Sequence, residues 1–176
     1  WSLSASLGGD DSWLTTTGQP IQQHDTAAAV MLANSGKSPN FELMHLNTYN
    51  AIKNHASVVD RVKYTSRELS PAIIGALLGV GEIVVSDMSY DSGIYGQSAV
   101  SGQVVSVFKD DFAFLGYKSP SPGYYQLSCG YMFQREKPLV RKWREEEREA
   151  NAIEVDCEFS FEIVASLAGY YINDTI

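Results

Sequence analysis

Three histidines, two cysteines and a glutamate-rich run are the residues of this chain whose types could do chemistry. Metal binding needs clustered imidazoles, thiolates or carboxylates at ligand spacing. His24, His45 and His55 have no two at such a spacing, and no cysteine pair accompanies them. A nucleophile pair of Cys129 with His45 lacks any local signature, and Cys129 falls in a strand-like stretch rather than at an activating helix N-terminus. Glu145, Glu146, Glu147 and Glu149 sit in "RKWREEERE", residues 141–149, which has eight charged side chains in nine positions. Acid catalysis by paired carboxylates requires one of them in an apolar setting that raises its pKa. Here each has charged neighbours, so the run reads as a solvated or interface face.

Other short motifs fail on context. Asp87 to Gly93, "DMSYDSG", lacks the alternating ligands and closing glutamate of a calcium loop. Gly79-Val80-Gly81 closes a helix and precedes a strand, the reverse of a dinucleotide site, so Gly79 reads as a helix C-cap. No serine stands in a Gly-x-Ser-x-Gly elbow, and Asn173-Asp174-Thr175 matches a glycosylation sequon by chance. No catalytic residue, metal ligand or cofactor is therefore expected, and no enzyme.

Bulk properties narrow the class. The chain has 176 residues with 44% hydrophobic and 19% charged, enough for one ordinary domain with a real core. A formal net charge of −8 argues against specific nucleic-acid recognition, which rests on basic residues neutralising phosphates. No apolar run is long enough for a membrane span. The N-terminus "WSLSASLGGDD" has no basic segment followed by an apolar one, as a signal peptide would, and it lacks an initiator Met, which suggests a processed or truncated piece. Cys129 and Cys157 are too few for a disulfide framework, and both read as small buried hydrophobes.

The elements that would position these residues follow from punctuation and periodicity. Residues 1–20 are rich in Ser, Thr and Gly and read as an irregular arm. Pro20 and Gly36 bracket a helix over residues 21–34; "NFELMHL" is a strand buried on both faces; Asn47 and Ser57 are candidate caps of two short helices. Ser70-Pro71 starts another helix, "EIVVSDM" is a strand, and "SYDSGIYGQSAVSG" a long polar loop. Strand-like stretches then dominate: "QVVSVF", "FAFLGYK", "YQLSCGYMFQR", "PLVRKW", "AIEVDCEFSFEIVAS" and "LAGYYINDTI". The class is α+β, with residues 21–125 mixed helix and strand and residues 126–176 strand-rich.

From Val155 to Ile163 the alternation is unbroken. Val155, Cys157, Phe159, Phe161 and Ile163 share one face, expected on a core, and Asp156, Glu158, Ser160 and Glu162 the other. Like charges on one face repel unless basic partners lie opposite. Arg141, Lys142, Arg144 and Arg148 are the nearest basic groups, so residues 141–149 read as half of a charged antiparallel hairpin.

Three stretches, taken in order, carry a resemblance. "KSPNFELMHLNTYNAIKNHASVVDRVKYT", with Gly36 before it, gives a G-x-x-P-N turn, a Y-x-x-(I/L)-x-x-H helix and an R-(I/V)-K-Y segment; "LLGVGEIVVSDMSYDSG" a strand and a glycine-containing loop; "GYMFQREKPLVRKWREEEREANAIEVDCEFSFEIVASLAGYYIND" a closing run of strands. Together they resemble the major capsid proteins of tailed bacteriophages, over about the whole chain. The resemblance implies the Hong Kong 97 fold, with residues 21–125 as the axial-like domain and 126–176 returning to the peripheral-like domain. It also implies copies of itself as partners in hexamers and pentamers, scaffold, portal or decoration proteins as further partners, a place in the virion shell around the DNA, and no membrane. Members usually carry roughly as many residues again before the matching region. No spine helix or extended-loop hairpin is recognisable here, so the expectation is the C-terminal portion of a subunit. The alternative is a β-rich carbohydrate-binding module using Tyr90, Tyr95, Tyr124 and Tyr125 as an aromatic platform, and a further rival is a small hydrolase built on Cys129.

Overall fold

The computed structural model describes residues 1–63, 69–93, 104–135 and 137–176. They fall into two compact units, residues 1–129 with 165–176, and residues 130–164. The first unit holds β1 (Leu3–Ser6), α1 (Pro20–Ser35), β2 (Phe41–His45), α2 (Leu46–Asn54), α3 (Ala56–Val62) and α4 (Pro71–Leu78). It continues with β3 (Glu82–Ser86), β4 (Ser89–Asp91), β5 (Val104–Ser106) and β6 (Ala113–Gly116). The second holds β7 (Gly130–Gln134), β8 (Leu139–Glu145), β9 (Ala150–Asp156) and β10 (Phe159–Ile163), and β11 (Gly169–Asn173) returns to the first. The mixture is α+β, as expected. The strand-rich segment does not run through residue 176 as one block, because its last part belongs to the first unit's sheet.

That sheet has the order β1-β11-β6-β2-β3. β2 is antiparallel to β6 and parallel to β3, so it is an interior strand. Its alternation then sets two faces. Glu42 and Met44, with Ala113, Leu115 and Ile172, face a core completed by Ile21 and Ala27 of α1, Ile52 of α2 and Ile74 and Leu78 of α4. Phe41 and Leu43 pack on the other side with Phe112, Phe114, Cys129 and Ala168. Helix ends follow local chemistry. Pro20 and Pro71 stand in the first turns of α1 and α4, where a missing N–H costs nothing. Gly36 and Gly79 close the same helices in the left-handed conformation, at φ 71 and 74.

The first twenty residues are a correction. Rather than an irregular arm, they supply the edge strand β1, parallel to β11, and the buried side chain of Trp13. Their Ser/Thr/Gly texture misled because the partner lies at the far end of the chain: Leu7 donates its N–H to Asn173 O and Trp13 to Thr175 O. The expected long loop is also shorter than supposed, since β4 pairs antiparallel with β5. Its remaining expected loop residues, 94–102, lie outside the described residues.

The second unit is two antiparallel ribbons, β7 with β10 and β8 with β9. The charged run forms a hairpin as predicted: Arg141 sits opposite Glu154 and Arg144 opposite Asn151, with the turn at Glu146–Arg148. The alternating stretch is not one strand, however. It breaks at Cys157 and Glu158, so Val155 belongs to one ribbon while Phe159, Phe161 and Ile163 belong to the other.

Candidate interaction surface

Residues 130–164 contain no buried residue among those described. The apolar face expected on a core is uncovered: Val155, Phe159, Phe161 and Ile163 are 62%, 56%, 71% and 62% exposed. The reason is architectural. A two-stranded ribbon has no second layer, and an isolated one is at best marginally stable in water. On β7–β10, Met132 lies opposite Phe161, so Met132, Phe159, Phe161 and Ile163 line one face. Phe159 and Phe161 contact edge to face, at 5.4 Å between centroids, and across the ribbon Glu162 stands opposite Tyr131 and Ser160 opposite Phe133.

On β8–β9 the register separates two further faces. Leu139, Arg141, Trp143, Ala152, Glu154 and Asp156 share one; Val140, Lys142, Arg144, Asn151, Ile153 and Val155 share the other. Ion pairing is sparse and peripheral. Arg141 lies 3.8 Å from Glu154, Arg148 3.7 Å from Glu145 within the turn, and Arg135 3.2 Å from Glu158. Such exposed pairs are each worth about 0–1 kcal/mol, so they do not replace a core. A cleft of about 250 Å³ is lined by Arg135, Lys137, Arg141, Asp156, Cys157 and Glu158. Cys157 is exposed there, against the expectation of a buried hydrophobe, because the ribbons have no second layer to cover it; Cys129 is buried as expected.

Each histidine is tied into the fold, one in a buried ion pair and two as helix caps. His24 and Glu42 are both fully buried, with Nε2 2.6 Å from Oε1. Pro20 O, which only accepts, lies 2.6 Å from Nδ1, so Nδ1 carries a proton and Nε2 is the nitrogen that faces the carboxylate. Burial pushes the His24 pKa down, but the Glu42 charge, the hydrogen bond to it, the Pro20 carbonyl and nearby Asp25 outweigh it and the pKa lies above the ordinary value. Among the described residues Glu42 Oε2, which is buried, has no hydrogen-bond partner, an uncompensated cost inside the pair. This pair was missed in the sequence; a lone acid inside the buried strand "FELMH" was the available signal. His45 and His55 are the N-caps of α2 and α3, accepting from the N–H groups of Asn47 and Ser57. Asn47 and Ser57 therefore are not the caps, because each stands two residues too late. His45 Nε2 meets Ser106 Oγ at 3.2 Å and Asp110 at 3.5 Å, which commits both of its ring nitrogens.

The remaining candidates disperse. Glu146, Glu147 and Glu149 are exposed on the β8–β9 turn. Asp91 Oδ1 accepts from Gly93 N at 2.8 Å, a local turn. Tyr124 and Tyr125 are fully exposed and Tyr90 is half exposed, while Tyr95 lies outside the described residues. Asn173 accepts from Lys109 Nζ at 2.9 Å, and Thr175 is buried against Thr48. Among the described residues no helix is long and apolar enough to cross a membrane.

No protein-family profile matches this sequence, and no curated protein does. The fold is similar to the crystal structure of a phage-related protein from Bordetella bronchiseptica, with a TM-score of 0.84 and 26% identity. The similarity covers 98% of this chain and 56% of that one, so this chain spans little more than half of its relative's length.

Proposed function

We propose that the chain is the C-terminal portion of a major capsid protein of a tailed phage or prophage, with the Hong Kong 97 fold. Its role is structural: it joins copies of itself into hexamers and pentamers of the virion shell, with no reaction of its own. The observation that carries this reading is the coreless unit, residues 130–164, whose ribbons leave Met132, Phe159, Phe161 and Ile163 more than half exposed. Exposed apolar faces of this kind mark surfaces meant for another polypeptide. The similarity to a phage-related protein and the ordered motifs of the chain support the same reading. A shell subunit also has reason to combine an apolar contact with a charged rim, since charge sets orientation and register more than affinity.

The test is the oligomeric state of the full-length chain. Sedimentation velocity and electron microscopy should show concentration-dependent association into capsomers or shells. A chain that stays monomeric from micromolar to high micromolar concentration, with an intact fold, would remove the proposal.

A further inference from the structure

The β8–β9 hairpin carries unmatched charge of both signs. Lys142 and Arg144 are exposed on the face that also holds Val140, Ile153 and Val155, which are 63%, 65% and 62% exposed. Among the described residues no ion pair joins Lys142 or Arg144 to a carboxylate, and the face contains no acid of its own. At the end of the same hairpin the turn carries Glu146, Glu147 and Glu149, exposed and, among the described residues, equally without an ion-pair partner. Glu149 adopts φ 48, a left-handed conformation that glycine would occupy more cheaply.

The register explains why these charges do not satisfy each other. Lys142 faces Ile153 and Arg144 faces Asn151 across the ribbon, while the glutamates lie beyond the last strand pair. Joining this face to itself in two copies does not satisfy them either, because it brings the four cations together and offers no acid to any of them. The surface fits an acidic protrusion, and the chain supplies one.

We infer that subunits join turn to flank: the glutamate turn of one copy seats on the flank of the next copy's hairpin formed by Val140, Lys142, Arg144, Ile153 and Val155. This rests on the self-association proposed above and names its contact. Each copy gives its turn to one neighbour and its flank to another, so the contact is heterologous and closes into rings or continues as an array. Carboxylates next to Lys142 and Arg144 fix the register, and the three apolar side chains lose water beneath them.

The experiment uses two full-length variants, Lys142→Glu with Arg144→Glu, and Glu146→Lys with Glu147→Lys. Arg61→Glu, an exposed change in the first unit, is the control. Circular dichroism and melting temperature should match the parent in all three. Each hairpin variant alone should need at least about tenfold more protein to associate, in sedimentation velocity, whereas Arg61→Glu should not. An equimolar mixture of the two hairpin variants should associate again, since each turn then meets an opposite flank on the other protein. If the parent associates but the reversals have no effect, or the mixture fares no better than its components, the turn-to-flank contact is wrong while self-association stands. If the parent itself remains monomeric, the self-association reading fails first.

Discussion

The two units of this chain solve the same problem in opposite ways. Residues 1–129 with 165–176 put helices on one face of a five-stranded sheet and an aromatic cluster on the other, and bury Met31, Met44, Ile52, Ile74, Leu115 and Ile172 almost completely. Residues 130–164 have equally regular alternation and comparable aromatic content, yet bury nothing among the described residues. Alternation shows which face of a strand needs cover; it does not show what provides it. In the first unit the cover is the chain itself. In the second it must come from elsewhere, or the ribbons remain marginal.

That contrast can be broken or sharpened by substitution. The largest effect should come from His24→Ala, which strands the buried Glu42 carboxylate; removing one partner of a buried pair costs about 3–5 kcal/mol, read by denaturant unfolding. Leu115→Ala should follow closely, losing about 2–5 kcal/mol through a cavity in the same core.

The pH dependence is a finer probe of the pair. The folded-state pKa of His24 lies above its unfolded value of about 6.5, so the folded protein holds this proton longer. The stability it adds is fully present below pH 6.5 and is lost as pH rises through the folded value. Glu42→Gln should flatten that slope in unfolding measured across neutral to alkaline pH, and an unchanged slope would place its origin elsewhere.

The smallest effect on folding should come from the second unit. Phe161→Ser lies on an exposed face and should change unfolding free energy by less than about 0.5 kcal/mol while weakening association of the full chain. A loss as large as that of Leu115→Ala would mean that the face is part of the subunit's own core, and the contrast drawn here would collapse.

Features set by neighbouring residues were legible in the sequence. Pro20 and Gly36 bounded α1, Ser70-Pro71 started α4, Gly79 ended it, and the charged run turned back on itself as a hairpin. The histidine caps were not legible, because "HLN" and "HAS" offer two capping residues each and a shift of two positions decides between them. The candidate surface was half legible: the alternation of Val155 to Ile163 was visible, but its break at Cys157 and its exposure were not.

The sequence by itself determined local geometry, the α+β class and the faces that want burial, since backbone preference and periodicity act over a few residues. Only the tertiary structure decided that β1 lies beside β11, that His24 finds Glu42, and that residues 130–164 keep no core. Each of those depends on which distant surfaces meet. Desolvation and pairing energies belong to the contact, and no stretch of chain carries them alone.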